Sequence, residues 1–346
     1  MTSSVAGRSV AIIGGAGFIG HHLAVALAAA GADVEVIDGL QVNNILSITS
    51  AVPDRNRDLY LRMLNQRLDL LRAAHIPLHV QDARDYGALS RLLGEIEPDV
   101  IVQAAAVSHA GQSNKDPYST FDHSLRTLEN ALDWARESLP HFVFLSSSMV
   151  YGNFQGAEAD EEHPLDPIGI YGALKVAGEK IVIGYHQVFD LPYTIVRPSA
   201  LYGPRCVSRR VGQVFIENAL EGLPLRLEGD GSDRLDFTYI DDLVSGLIAV
   251  IDHPAARNQA FNLTYGEGRS IAEVAEIVRE HFPNVEIQRT ERDRLMPERG
   301  TLSVAKAREL LGYQPGHPIE IGLPDYIRWY ADLVASGHAA GVGTPT

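Results

Sequence analysis

Ser9-Val10-Ala11-Ile12-Ile13-Gly14-Gly15-Ala16-Gly17-Phe18-Ile19-Gly20 is the stretch on which the reading of this chain turns. The apolar run Ser9–Ile13, stopped by two glycines, predicts a buried strand. Phe18 to Ala30 is apolar and rich in alanine, which predicts a buried helix ended by Gly31. A strand, a glycine turn and a helix in that order can cradle a phosphate. Gly14 permits the tight turn, Gly17 lets a pyrophosphate approach the backbone, and Gly20 lets the helix lie close to the strand. The start of the helix adds unpaired N–H groups and the positive end of a dipole. A tight turn alone would also use glycines. The next predicted strand, Asp33–Ile37, adds the decisive residue, Asp38 at its end. A carboxylate there accepts hydrogen bonds from ribose hydroxyls and repels a 2′-phosphate. No arginine follows it directly, so the expected cofactor is NAD rather than NADP.

Outward from this unit, strands and helices alternate. Asn56 to Ala74 carries helical periodicity through Leu59, Met63, Leu64, Leu68 and Leu71. Strands are predicted at Leu78–Val80, Val100–Ala105, Phe142–Leu145 and Tyr193–Arg197, and helices at Tyr86–Leu93, Phe121–Glu137 and Tyr171–Val188. That alternation predicts an α/β chain with a Rossmann-type doubly wound parallel sheet. After Pro198, glycine, proline and charge become frequent. Helices remain at Val211–Leu220 and Ile271–His281, the latter opened by a Ser270/Glu273 capping box. The expected division is an NAD-binding domain over 1–198, with 241–266 packing back onto it. A smaller mixed C-terminal substrate-binding domain takes 199–240 and 267–334, and 335–346 is a flexible tail of small residues.

Composition narrows the function. The 346 residues are 45% apolar and 21% charged, and 44 acidic against 29 basic side chains give a net charge of −15. That balance argues against nucleic acid and anionic membranes as partners. The single cysteine, Cys206, excludes an intrachain disulfide and a cysteine-rich metal site. No run is long and apolar enough for a signal core or a membrane span, so a cytoplasmic protein is expected.

Two further elements carry chemistry. Tyr171-Gly-Ala-Leu-Lys175 puts a phenol and an ammonium on one face of a helix. A phenol near pKa ~10 is a poor base at neutral pH, and a nearby cation favours its ionised form. The ammonium can also hold the nicotinamide ribose. An ordinary amphipathic helix would show the same spacing, but upstream Ser146-Ser147-Ser148-Met149-Val150-Tyr151-Gly152 clusters hydroxyls where a buried strand ends. In a doubly wound sheet that edge binds the ligand.

With these motifs in order, the sequence resembles the extended short-chain dehydrogenase/reductases, in particular the NAD-dependent nucleotide-sugar epimerase/dehydratase family typified by UDP-galactose 4-epimerase-like enzymes. The likeness runs to about residue 330, through Asp82-Ala83, Ala104-Ala105-Ala106, Arg197-Pro198, Tyr202-Gly203-Pro204, Gly229-Asp230-Gly231 and Asp236 to Asp242. It implies a catalytic set of Ser147, Tyr171 and Lys175, with Ser146 and Ser148 as neighbouring alternatives for the hydroxyl. It implies Asp82 and Ala83 at the adenine, and Ala104–Ala106 beneath the pyrophosphate and nicotinamide ribose. Gly14, Gly17, Phe18, Ile19, Gly20, Asp38, Tyr171 and Lys175 complete the cofactor set. The partner implied is a nucleotide-diphosphate sugar. Ser108, His109, Gln112 and Ser148 are candidates for its pocket. Arg205, Arg209, Arg210, Arg234 and Arg299 are candidates for a diphosphate clamp, each otherwise a solvated surface arginine. No metal is expected, because no ligand partner stands near His109.

Departures from the family pattern bear on the reaction. Dehydratases of this kind carry Asp-Glu directly after the catalytic hydroxyl, where this chain has Ser148 and Met149. The 3,5-epimerase type has cysteine at the Met149 place. The resemblance therefore implies redox at sugar C4, with epimerisation through a 4-keto intermediate, or else a 4-dehydrogenase or 4-ketoreductase. A non-catalytic NAD-binding regulator would have no need of the intact Ser147/Tyr171/Lys175 set. Asn positions common in the family are Ser124 and Ala200 here, and its arginine before Asp-Phe is Leu235, with Arg234 one place earlier. On extended chain that shift turns the side chain to the other face. The family also implies a homodimer through Phe121–Glu137 and Tyr171–Val188.

Overall fold

The computed structural model describes residues 5–50, 55–107 and 110–340. Its centre is a sheet of seven parallel strands: β1 Ser9–Ile13, β2 Asp33–Asp38, β3 Leu78–Val80, β4 Val100–Gln103, β5 His141–Leu145, β6 Tyr193–Arg197 and β7 Gln259–Asn262. Their spatial order is β7-β6-β5-β4-β1-β2-β3. Val10 of β1 lies opposite Val34 of β2 on one side and Val100 of β4 on the other. Helices cover both faces, which is why these strands read as unbroken apolar runs. Val10 and Ile12 pack on one face with Leu23 and Leu27 of α1 (Phe18–Ala29) and Tyr60, Met63 and Leu64 of α2 (Arg57–Ala73). Ala11 and Ile13 point to the other face. There they meet Leu89 and Leu93 of α3 (Tyr86–Ile96), Leu128 of α4 (Thr127–Ser138) and Val182 of α5 (Gly169–Phe189).

Strand order reverses between β1 and β4, and a crevice opens beyond their carboxyl ends, at Ile13 and Gln103. The strand expected to reach Ala105 stops at Gln103. The Gly14 backbone crosses just beyond it, so close that a Cβ on Gly14 would lie 2.8 Å from the Ala105 Cα. The helix expected over Phe121–Glu137 is also interrupted. A short helix, Pro117–Phe121, passes into a π turn at Asp122–Arg126 before α4 begins. Such turns insert a residue into the ladder without breaking the apolar stripe, so periodicity does not reveal them.

The C-terminal part packs three helices together: α6 Val211–Leu220, α8 Ile271–His281 and α9 Ile319–Ala340, with α7 (Ile240–Asp252) lying between α6 and α8 in sequence and packing on α1. Leu225–Glu228 and Ile287–Thr290 form a parallel pair beside them. The capping box of α8 is complete. Glu273 N–H donates to Ser270 Oγ at 3.1 Å, and Ser270 N–H donates to Glu273 Oε2 at 2.6 Å. One buried carboxylate, Glu217 of α6, joins this part to the first. It accepts from Asn56 Nδ2 (3.0 Å), Tyr60 OH (2.8 Å) and Tyr330 OH (2.7 Å). α9 continues through Ala340, past the Ser336 at which a flexible tail was expected, and residues 341–346 lie outside the described ones.

Candidate active site and cofactor cleft

The glycine turn between β1 and α1 sits at the crevice. Gly14 has φ +85°, and a Cβ there would stand 2.6 Å from Ala105 N. No L side chain fits that conformation and spacing. At Gly20 a Cβ would fall 2.5 Å from Gly14 O, so its hydrogen lets the helix close onto the turn. Gly17 caps α1 with no side-chain bond to the helix N–H groups, which leaves those donors for an anion. Asp38 completes the cradle. Its carboxylate accepts Leu40 N–H at 2.7 Å and Ala16 N–H at 3.0 Å. Burial raises the Asp38 carboxyl, and those two N–H groups and the Arg67 charge oppose the rise. Gly14→Ala is expected to weaken NAD binding about a hundredfold or more, through backbone strain and the lost cradle. A fluorescence titration with wild-type affinity would show that the turn is not where the pyrophosphate sits.

One cleft gathers Gly14, Gly17, Phe18, Ile19, Gly20, Asp38, Asp82, Ala83, Ala104, Ala105, Ala106 and Arg210. Asp82 accepts from Arg84 Nη2 at 2.6 Å and from Gln41 Nε2 at 3.0 Å, and the Arg84 hydrogen bonds bring its carboxyl down to about 2. Arg84 also pairs with Asp122 of the π turn at 2.8 Å, tying the far wall of the cleft to this floor.

The cleft also exposes residues that sequence reasoning missed: Gln41, Asn43, Arg67, His123 and Thr127. Arg67 left a signal. It falls on the apolar stripe of α2, between Met63 and Leu71, where a charge is out of place. It is 1% exposed, and its guanidinium donates to the carbonyl of Arg205. His123 and Thr127 left none, because the π turn that rotates them into the cleft is not visible in the pattern.

The serine cluster lies where β5 ends, and its three hydroxyls go to three different places. Ser146 Oγ donates to the buried Glu179 at 2.5 Å. Ser148 Oγ lies 3.5 Å from Arg299 Nη1. Ser147 Oγ accepts Met149 N–H at 3.2 Å and stands in hydrogen-bonding reach of the Tyr171 phenol. Burial raises the Tyr171 phenol above its ordinary value, opposed by the Arg210 charge and by Ser147. Lys175 lies one turn after Tyr171 on α5. Its Nζ donates to Leu145 O at 2.6 Å and sits 6.0 Å from the centre of the Tyr171 ring, so the cation that favours the phenolate here is Arg210.

Burial lowers the Lys175 ammonium to about 8, with the Glu179 carboxylate opposing. A Lys with a lowered value carries its charge below pH 8 and loses it as pH rises through 8. If the charged form serves the reaction, kcat/KM falls with a midpoint near 8. A profile flat across the alkaline range would show that the ammonium is not needed.

The arginines separate. Arg299 is buried deeply enough to be lowered to about 10, with the Arg210 charge adding to that, and among the described residues its Nε has no hydrogen-bond partner. Arg210 lines the cleft and lies near both Arg299 and Tyr171, so these residues form one basic pocket next to Ser148. Arg205 and Arg234 do not join it. Arg205 has φ +64° just after Gly203-Pro204, which turns its side chain back onto α1, where Nε donates to His21 Nε2 at 3.1 Å. Arg234 is exposed on a short strand paired antiparallel with Gly268–Ser270, bonded to the Gly268 carbonyl and 3.7 Å from Glu273. Ser108 and His109 lie outside the described residues. Among the described residues no cluster could hold a metal ion, and no helix is long and apolar enough to cross a membrane.

A glycine cradle at a topological switch point, an acidic residue ending β2, and Ser147, Tyr171 and Lys175 at the end of β5 define an extended short-chain dehydrogenase/reductase with NAD as cofactor. The NAD dependent epimerase/dehydratase family matches residues 10–264, and the chain belongs to that family. It is an NAD-dependent enzyme of the nucleotide-sugar epimerase/oxidoreductase class. A Bacillus subtilis (strain 168) protein described as the uncharacterized UDP-glucose epimerase YtcB is 30% identical, over 94% of this chain and 98% of its own. The UDP-glucuronic acid 4-epimerase of Bacillus cereus, solved with UDP-glucuronic acid and NAD, is 25% identical with a TM-score of 0.82, covering 94% of this chain and 99% of that one. The dTDP-glucose 4,6-dehydratase DesIV of Streptomyces venezuelae, a double mutant solved with NAD, is 26% identical with a TM-score of 0.81, covering 93% and 97%. Epimerases and a dehydratase thus share this fold almost equally well.

Proposed function

We propose that the protein inverts C4 of a UDP-linked sugar through a transient 4-keto sugar. The observation that carries this reading is the pair Ser148 and Met149. With fold shared by both reaction types, the residues after the catalytic hydroxyl discriminate. Elimination of water needs an acid and a base there. Ser148 is turned toward Arg299, and Met149 is a buried thioether that moves no proton. Ser147 and Tyr171, in contact with one another, suit a single hydroxyl that must lose and regain its proton.

Bound NAD supplies the reversible removal of hydrogen, with its electron pair, from C4. The protein's own residues do the rest. Tyr171 takes the proton of the C4 hydroxyl and returns it, and Ser147 donates a hydrogen bond to the same oxygen. Lys175 holds the nicotinamide ribose and keeps positive charge at the site. Gly14, Gly17, Phe18, Ile19 and Gly20 hold the pyrophosphate, Asp38 the adenosine ribose, and Asp82 and Ala83 the adenine. Ala104–Ala106 line the floor. Arg210 and Arg299 clamp the substrate diphosphate, which gives the unpartnered Arg299 Nε an acceptor. The UDP moiety is taken from the relatives, whose names carry UDP-glucose and UDP-glucuronate. A homodimer through α4 and α5 would cover Val188 and Phe189, which are exposed at the end of α5.

Running the reaction in D2O tests the reading. The C4 epimer is expected without solvent deuterium on any sugar carbon, because the hydrogen removed from C4 is the one returned. Deuterium at C5 or C6 would mean elimination or C5 inversion and would overturn it. Asp38→Ala is expected to narrow the preference for NAD over NADP about tenfold or more. An unchanged preference in a binding competition would place the ribose contact elsewhere.

A further inference from the structure

A second cavity lies between α1, α2 and α7, apart from the cofactor cleft. Its walls are apolar, formed by Val25, Leu70, Val244 and Ile248. One end is different: it is closed by His21, His22 and Arg205. Among the described residues no carboxylate lies within ion-pair distance of Arg205. Its Nε donates to His21 Nε2 at 3.1 Å, and its Nη2 lies 3.5 Å from His22 Nε2. Burial lowers both imidazoles, so neither titrates near neutrality and neither balances nor shares the guanidinium charge. The Asp241 carboxylate on the same cavity offsets part of the guanidinium charge from beyond ion-pair distance, while the groups bonded to Arg205 there are neutral. A half-buried cation with no bonded anion beside apolar walls is complementary to an anion with an apolar body. Asp241 is exposed at the mouth and disfavours a second negative charge.

We propose that this groove binds a monocarboxylate on a short aliphatic chain, with the carboxylate against Arg205 and the chain along Val25, Leu70, Val244 and Ile248. The site reaches the cofactor turn through two contacts. His21 Nδ1 bonds the Gly17 carbonyl at 2.8 Å while its Nε2 accepts the hydrogen bond from Arg205 Nε. The Arg205 carbonyl accepts the guanidinium of Arg67, which itself lines the cofactor cleft. A ligand on Arg205 therefore acts on the residue that holds Gly17.

The test uses NAD-loaded protein and hexanoate as probe, followed by ligand-observed NMR. Hexanoate is expected to bind, with affinity falling about fourfold for each methylene removed toward butyrate. Hexanol, which lacks the charge, and inorganic phosphate, which lacks the chain, are each expected to bind at least about tenfold more weakly. Arg205→Leu is expected to abolish the signal. Because that change could disturb His21, Ala29→Trp on the exposed rim of the groove provides the second arm, and it too is expected to abolish binding. His21 ring resonances should shift on titration in the wild type. Absence of hexanoate binding, hexanol binding equally well, persistence in both variants, or displacement by UDP would each overturn the proposal.

Discussion

Tyr171→Phe is expected to bind NAD as the wild type does and to lose turnover by about three orders of magnitude or more. Only one oxygen is removed, and the ring keeps its place on α5. The Arg210 charge and the Ser147 hydroxyl favour the ionised form of the phenol. Without it, nothing in this arrangement takes the C4 proton. Ser147 carries a hydroxyl that donates but has no cation of its own, and Lys175 is engaged with Leu145 O. A steady-state rate within tenfold of wild type, with ~1.4 kcal/mol lost at most, would remove Tyr171 from the base role. Unchanged NAD affinity alongside the lost rate separates chemistry from binding.

Arg197→Met is expected to destabilise the protein by about 3–5 kcal/mol. The Arg197 and Glu179 side chains are 6% and 1% exposed and pair at 2.7 Å. Arg197 also donates to Tyr151 OH, which donates to Asn262 Oδ1 at 2.7 Å, and Ser146 donates to Glu179. Cutting the arginine leaves Glu179 as a buried carboxylate held by one serine. Lys175, one turn before Glu179 on α5, is the nearest alternative cation, so turnover should drop as well. Denaturant unfolding followed at the first transition measures the loss. The double variant Glu179→Gln with Arg197→Met should recover part of it, because it removes the uncompensated charge. A single variant as stable as the wild type would mean that water reaches Glu179.

The glycine turn, Asp38 and the Tyr171/Lys175 pair were legible because each rests on local chemistry: a strained backbone, a strand end, a helical repeat. The alternating strands and helices were legible for the same reason, since burial on both faces writes itself as unbroken apolar runs. What escaped depends on long-range placement. Which serine hydroxyl is left beside Tyr171 depends on Glu179 and Arg299, 33 and 151 residues away from the serines they contact. Arg205 looked equivalent to Arg210 in sequence, yet a left-handed backbone at one residue sends it behind α1. The π turn hides His123 and Thr127.

The most direct test is to incubate the NAD-loaded enzyme with UDP-, GDP-, dTDP- and CDP-sugars, following products by NMR and NADH by absorbance together. The predicted result is a C4 epimer from a UDP-sugar with no net NADH. Stoichiometric NADH with a 4-keto product, a 6-deoxy product, or no change with any of the sugars would contradict it.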